Sequence, residues 1–172
     1  MRAKISIFDI AIIGISAALL IGVQVALAVI PNIELVSLLI ILYTLHFKSK
    51  TIYIIYIFAI VECLIYPFGI WCIVYLYIWT ILFFIAYLFR ESRSAIFWAV
   101  IGAIYGLLFG TLSSIPTFIT LGISGGLSYI AAGLFYDLTH CVGNFVVILV
   151  LFKPLDLLLS KLPFIAEQKP SR

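Results

Sequence analysis

Three polar side chains share one helical face late in the sequence. Asp137, His140 and Asn144 are spaced i, i+3 and i+7, which brings them to one side of an α-helix, with Tyr136 and Cys141 beside them. They lie in an apolar stretch, where a buried ionisable group is costly and usually serves a function. Asp137 and His140 at this spacing can contact a ligand, or they can pair with each other and brace a helix bundle. Either interpretation requires this face to point inward.

Aromatic residues form a second pattern. Trp71, Tyr75 and Trp79 are spaced i, i+4 and i+8, and Glu62 lies in the preceding apolar run. Such rings can stack on a flat ligand, although a Trp near a boundary also suits the aromatic belt of a membrane protein. Rings combined with carboxylates favour a flat, nitrogen-bearing heterocycle as ligand. The predicted substrate-binding residues are Glu62, Trp71, Tyr75, Trp79, Tyr129, Tyr136, Asp137, His140 and Asn144.

A stripe of small residues marks the first apolar run. Gly14, Ala18, Gly22 and Ala26 recur at every fourth position and therefore form one smooth helical face. Small residues let two membrane helices approach closely. The stripe either packs against other helices of this chain or docks a second subunit, and the candidate docking residues are Gly14, Ala18 and Gly22.

The sequence offers little that could catalyse a reaction. Gly122-Ile123-Ser124-Gly125 matches a motif of intramembrane serine proteases, but Ser124 and His140 are 16 residues apart on one predicted helix. That spacing corresponds to about 24 Å of helical rise, far beyond the reach of a nucleophile and its base. The sequence contains no phosphate-binding loop, no HExxH motif and no CxxC pair. We expect no enzyme activity, metal or cofactor in this chain.

Composition decides the class of protein. The 172 residues are 66% hydrophobic and only 10% charged, which no small soluble domain could accommodate. A spanning helix needs about 20 apolar residues. We therefore predict an all-α integral membrane protein, with residues 1–172 as a single membrane domain built as a six-helix transmembrane bundle. The predicted spans are residues 8–30, 35–47, 51–65, 70–89, 95–112 and 126–152.

Basic residues are confined to alternate connections and the two termini. An excess of Lys and Arg marks the cytoplasmic side, so both termini are predicted to be cytoplasmic and the chain to lie in the cytoplasmic membrane as a multi-pass protein. The net charge of +3 then reflects topology and contact with lipid headgroups rather than nucleic-acid binding. The basic residues are Arg2, Lys4, Lys48, Lys50, Arg90, Arg93, Lys153, Lys161, Lys169 and Arg172.

Two of the predicted spans are short. Residues 35–47 and 51–65 would reach only about 20 Å as helices, less than the roughly 30 Å of the hydrocarbon core. Either the outer connections dip inward to line a cavity, or neighbouring helices shield the short ones from lipid. Both arrangements predict an outward-facing recess. A longer connection, at residues 113–125, precedes the last span.

These features together resemble the S components of energy-coupling factor (ECF) transporters, which are ABC-type vitamin importers. The resemblance covers nearly the whole chain and rests on six short spans, the stripe on the first helix, and the segment Pro31-Asn32-Ile33-Glu34-Leu35-Val36-Ser37-Leu38-Leu39, which is similar to segments of vitamin-specific members. In that family an alanine-xxx-alanine motif on the first helix docks the transmembrane T subunit. Here Gly14, Ala18 and Gly22 correspond to it, with glycine replacing alanine twice.

The resemblance implies a substrate-binding subunit that takes a vitamin from outside and topples in the membrane to release it inward. The T subunit and two cytoplasmic ATPases, which bind the ATP, would be its partners. A hydroxymethylpyrimidine or pyridoxine type of substrate fits the predicted rings and carboxylates best, ahead of pantothenate and cobalamin.

Three other classes of protein are alternatives. A self-sufficient proton-coupled transporter would use Asp137 and His140 as a relay, a membrane enzyme would need a catalytic partner for Ser124, and a structural subunit would bind no ligand.

Overall fold

The described residues are entirely helical. The computed structural model describes residues 6–30 and 33–162, and within them the chain forms α-helices and one 3-10 turn, with no β-strand. This confirms the predicted all-α class for the described part. Some residues on which the sequence predictions depend lie outside the described residues: Pro31-Asn32, Arg2, Lys4, Lys169 and Arg172. The helices are α1 (Ile7–Leu27), α2 (Val36–Phe47), α3 (Thr51–Ile65), α4 (Ile70–Leu88), α5 (Ala95–Ser113) and α6 (Ile115–Ser160).

Four of these helices, α1, α4, α5 and α6, are long and apolar enough to cross a membrane. Their surfaces expose large apolar side chains, such as Phe8 at 75% and Phe135 at 74% exposure. In water these side chains would carry a hydrophobic penalty, whereas lipid solvates them. The described chain therefore has the surface expected of a membrane helix bundle.

The short helix α2 lies at the centre of the bundle. Of its 12 residues, all but Leu39 and His46 are buried, and it packs against α1, α3, α4, α5 and α6. A helix of this length extends only about 18 Å. Its neighbours enclose it along its length, which is the shielding that the short predicted span requires.

The last two helices form a tight antiparallel hairpin whose turn is at Gly122. The chain stays helical through Ser114, whose N–H bonds the carbonyl of Gly110 at 2.9 Å, and it leaves helical geometry only at Gly122 (φ 69°, ψ −170°). A positive φ is readily adopted by glycine. The connection predicted at residues 113–125 contains this turn, but its bounds are wrong, since residues 115–121 form a first helical arm and residues 123–160 return along α5.

Ionic contacts gather at one end of the bundle, which we call the charged end. Asp9, in the first turn of α1, pairs with Lys50 in the turn between α2 and α3. On the α6 side, the carboxylate of Asp156 accepts from Arg93 at 2.8 Å and lies 2.7 Å from Nε2 of His46. These contacts join the N-terminus of α1, the α2–α3 and α4–α5 turns and the C-terminal part of α6.

Candidate functional site

A cavity of about 280 Å³ opens at the end of the bundle opposite the charged end. We call it the recess. It forms where α1 and α3 end and α2 and α4 begin, and the middle of α6 contributes its wall. Its polar and aromatic lining residues are Gln24, Glu34, Tyr66, Tyr75, Trp79, Phe109 and His140.

A second cavity of about 270 Å³, the side cavity, adjoins the recess. Both are lined by Gln24, Tyr66 and Tyr75, and the side cavity adds Glu62 and Trp71. The two cavities thus form one continuous lined surface that contains four of the residues singled out from the sequence as binding residues on α3 and α4: Glu62, Trp71, Tyr75 and Trp79.

The aromatic residues of α4 make a continuous wall of edge-on rings. The ring centroids of Trp71 and Tyr75 are 5.2 Å apart, and those of Tyr75 and Trp79 are 5.6 Å apart. Phe58 of α3 stacks on Tyr75 at 5.9 Å, and Phe109 of α5 lies 5.7 Å from Trp79. Aromatic pairs of this geometry contribute about 0.5–1.5 kcal/mol each beyond their burial, so the rings of the wall stabilise one another in this arrangement.

His140 faces the recess and pairs with Glu34. Its Nε2 lies 3.3 Å from Oε1 of Glu34, and its ring packs edge-on against Phe109 at 4.9 Å. Oε2 of Glu34 accepts from the backbone N–H of Ser37 at 2.8 Å, where it caps the first turn of α2. Glu34 is thus a recess residue that sequence reasoning did not select, although it is the acidic residue of the first predicted outer connection.

Asp137 does not pair with His140. Its Oδ1 accepts from the backbone N–H of Gly110 at 2.8 Å. Together with Tyr129 and Tyr136 it lines a third cavity, of about 380 Å³, between α5 and α6. Of the lining residues, only Phe109 belongs both to this cavity and to the recess. The structure therefore places three predicted site residues, Asp137, Tyr129 and Tyr136, apart from the aromatic wall.

Asn144 is buried at 1% exposure and lines none of these three cavities. Its Nδ2 donates to Oγ of Ser37 and to the carbonyl of Gly102, both at 3.3 Å. These bonds tie α6 to α2 and α5. Asp137, His140 and Asn144 all point inward, as the helical spacing predicts, but each has a different partner.

Three glycines on α5 allow the polar face of α6 to approach. A Cβ on Gly106 would lie 2.8 Å from the carbonyl oxygen of His140, and one on Gly110 would lie 2.4 Å from Asp137. Gly102, one turn earlier, faces Asn144 and Ile148. Sequence reasoning missed this stripe, although its signal, a small residue at every fourth position, is the one recognised on α1.

The small-residue stripe on α1 faces away from the bundle. Gly14, Ala18 and Gly22 are exposed, and a Cβ on either glycine would meet nothing within 4 Å. The opposite face of α1 packs inward through Ala17 and Leu20, which are at most 1% exposed. The alternative in which the stripe packs against this chain's own helices is therefore wrong.

Among the described residues, no cluster of three His, Cys, Asp or Glu side chains has the arrangement of a metal site. A comparison of the chain with protein-family models, curated proteins and solved structures finds no match.

Proposed function

We propose that this chain is the substrate-binding S subunit of an ECF-type importer, which captures a small vitamin or vitamin precursor in the recess. One observation carries the proposal: a preformed cavity of about 280 Å³, lined by aromatic rings and the Glu34–His140 pair, opens at one end of an apolar helix bundle. Ligand sites of membrane and soluble proteins alike combine apolar walls with a few placed polar groups.

The proposed topology has six membrane-crossing helices and both termini in the cytoplasm. It is supported by the position of Lys48, Lys50, Arg90 and Arg93, which occupy the turns at the charged end, since basic residues favour the cytoplasmic side. In this orientation the recess faces the outside, where a nutrient is captured.

The proposed ligand is a flat nitrogen heterocycle such as hydroxymethylpyrimidine or pyridoxine. The ring stacks against the wall of Tyr75 and Trp79, and its nitrogen groups meet the carboxylates of the cavities. Pantothenate ranks lower because its own carboxylate would be repelled by Glu34 and Glu62, and cobalamin ranks lower because it is large for a cavity of about 280 Å³.

Delivery is proposed to require the T subunit and the two ATPases, with α1 as the docking helix. The exposure of Gly14, Ala18 and Gly22 supports this role, because a smooth, unoccupied stripe lets a partner helix come close. ATP binds only to the partner ATPases in this proposal.

Affinity purification from the native membrane tests the proposal. The wild-type chain is expected to bring down a transmembrane partner and two ATPases, and the double variant Gly14→Leu/Gly22→Leu is expected to lose them while keeping the wild-type melting temperature, because both positions face open space. Ala131→Leu, a matched change at an exposed small residue of α6, is the control.

Absence of ATPases from the wild-type preparation would contradict the proposal. Uptake by the purified chain alone, driven by a proton gradient, would instead support a self-sufficient carrier.

A further inference from the structure

Two residues that line the joined cavities each carry a buried polar atom without a hydrogen-bond partner among the described residues, and the two atoms are of opposite kind. One is an acceptor, Oε1 of Glu62, and the other is a donor, Nε1 of Trp79. The two residues are 1% and 2% exposed, respectively. A buried polar atom without a partner is unfavourable, and such an atom in a native structure commonly indicates an absent ligand or water.

Glu62 differs in this respect from the other carboxylates nearby. Glu34 is occupied by His140 and by the N–H of Ser37. Asp137 accepts from the N–H of Gly110 and lines a different cavity. Glu62 is therefore the carboxyl group of the joined cavities that the described residues leave without a partner, and an amine or amidine of a ligand would supply one.

Tyr75 shares a cavity lining with each of the two residues that carry an unpartnered atom. It lines both cavities, its ring is 5.6 Å from that of Trp79, and the side cavity in which it lies also contains Glu62. Because Tyr75 belongs to both linings, a flat molecule that lies along it would be placed between the side cavity of Glu62 and the Trp79 side of the recess.

We infer that the joined cavities bind a flat ring compound in one orientation, with an amine or amidine group at the Glu62 carboxyl group and a hydrogen-bond acceptor at Nε1 of Trp79. The inference rests on the proposed function and narrows its substrate class to rings that carry an amine or amidine group, so that hydroxymethylpyrimidine and pyridoxamine rank above pyridoxine, which has no amino group. It also assigns Glu62, rather than Asp137, as the partner of the ligand's amine or amidine group.

Direct binding to the purified full chain in lipid nanodiscs tests this. Equilibrium dialysis is performed with hydroxymethylpyrimidine and pyridoxamine as amine probes, with the corresponding rings lacking the amine, and with nicotinate as an anionic ring. We expect the amine probes to bind at least tenfold more tightly than their amine-free counterparts and nicotinate not to bind.

Three variants locate the contacts. Glu62→Gln is expected to weaken the amine probes about 10- to 100-fold, the range for loss of a charge-assisted hydrogen bond, and Trp79→Phe about 3- to 10-fold. Glu91→Gln makes the same chemical change at a residue whose side chain is 93% exposed at the charged end and should leave affinity within about twofold of the wild type. Without ligand, Glu62→Gln should melt at or above the wild-type temperature, because Gln has nearly the same volume and cannot ionise, and no described residue bonds the Oε1 atom of Glu62.

Any of three results would overturn the inference. Neither amine probe binds, the amine-free rings bind as tightly as the amine probes, or Glu62→Gln binds the amine probes with wild-type affinity. Such a failure is separable from failure of the proposed function, because recovery of the ATPases from the native membrane does not depend on which ring is bound.

Discussion

The close approach of α5 and α6 predicts a loss of stability when a methyl group is added between the two helices. Replacing Gly106 by Ala places a methyl group 2.8 Å from the carbonyl oxygen of His140 and 2.9 Å from the backbone nitrogen of Cys141. Both contacts are to backbone, which no rotamer change can relieve. Because ordinary contact begins at 3.4 Å, the two helices must separate by about 0.6 Å, and His140 moves with α6.

The expected change in the free energy of unfolding of Gly106→Ala is the sum of two opposing effects. Overpacking of a tight interface costs about 1–3 kcal/mol, and backbone contacts place this change at the upper end. Alanine regains about 1 kcal/mol through its better helix propensity. The net loss in the free energy of unfolding is about 2 kcal/mol, which lowers the melting temperature by roughly 4–8 °C for a chain of this length.

Thermal melting in nanodiscs measures this change. Gly22→Ala is the matched control, since a Cβ there meets nothing within 4 Å and the helix-propensity gain should leave its melting temperature equal to or above that of the wild type. If Gly106→Ala melts within 1 °C of the wild type or above it, the close α5–α6 packing described here is wrong. The same variant should also weaken ligand binding, because His140 lines the recess.

Three further predictions concern the rest of the bundle. Asp137→Ala should lower the free energy of unfolding by about 0.5–1.5 kcal/mol relative to Asp137→Asn, because only Asn keeps a side-chain acceptor for the N–H of Gly110; equal melting temperatures of the two variants would contradict this. In a cysteine-free background, Phe68→Cys should react with a membrane-impermeant maleimide on intact cells and Ser49→Cys only after permeabilisation, and the reverse pattern would invert the proposed topology. Asp156→Asn should lower the free energy of unfolding by about 1 kcal/mol at low salt and by less at high salt, since its partner Arg93 is half exposed. Thermal melting measures this, and a loss of stability that is the same at both salt concentrations would refute a mainly ionic contact.

Much of the helical architecture could be predicted from the sequence, because the bilayer imposes it. Long apolar runs must form helices, and helical spacing fixes which side chains share a face. This sufficed to place Trp71, Tyr75 and Trp79 in one wall and to turn Asp137, His140 and Asn144 inward.

The partners across helices could not be predicted in the same way. Periodicity within one helix says nothing about which helix lies opposite, and Glu34 and His140 are 106 positions apart in sequence. The separation of Asp137 from His140 depends on the glycines of α5, which bring the N–H of Gly110 within hydrogen-bonding distance of the carboxylate. The predicted connection at residues 113–125 contains the turn at Gly122, but its length was overestimated because the residues on both sides of Gly122 are helical.

The most direct test of the account is to identify the molecule that the protein carries. The chain is purified from its native membrane, denatured, and the released small molecules are identified by mass spectrometry, with Glu62→Gln prepared in parallel. We predict that the wild-type chain releases one flat, amine-bearing nitrogen heterocycle and that the variant releases much less of it. The proposed binding site would be contradicted if the wild-type chain released an anionic or aliphatic compound. It would also be contradicted if both preparations released equal amounts of the same compound.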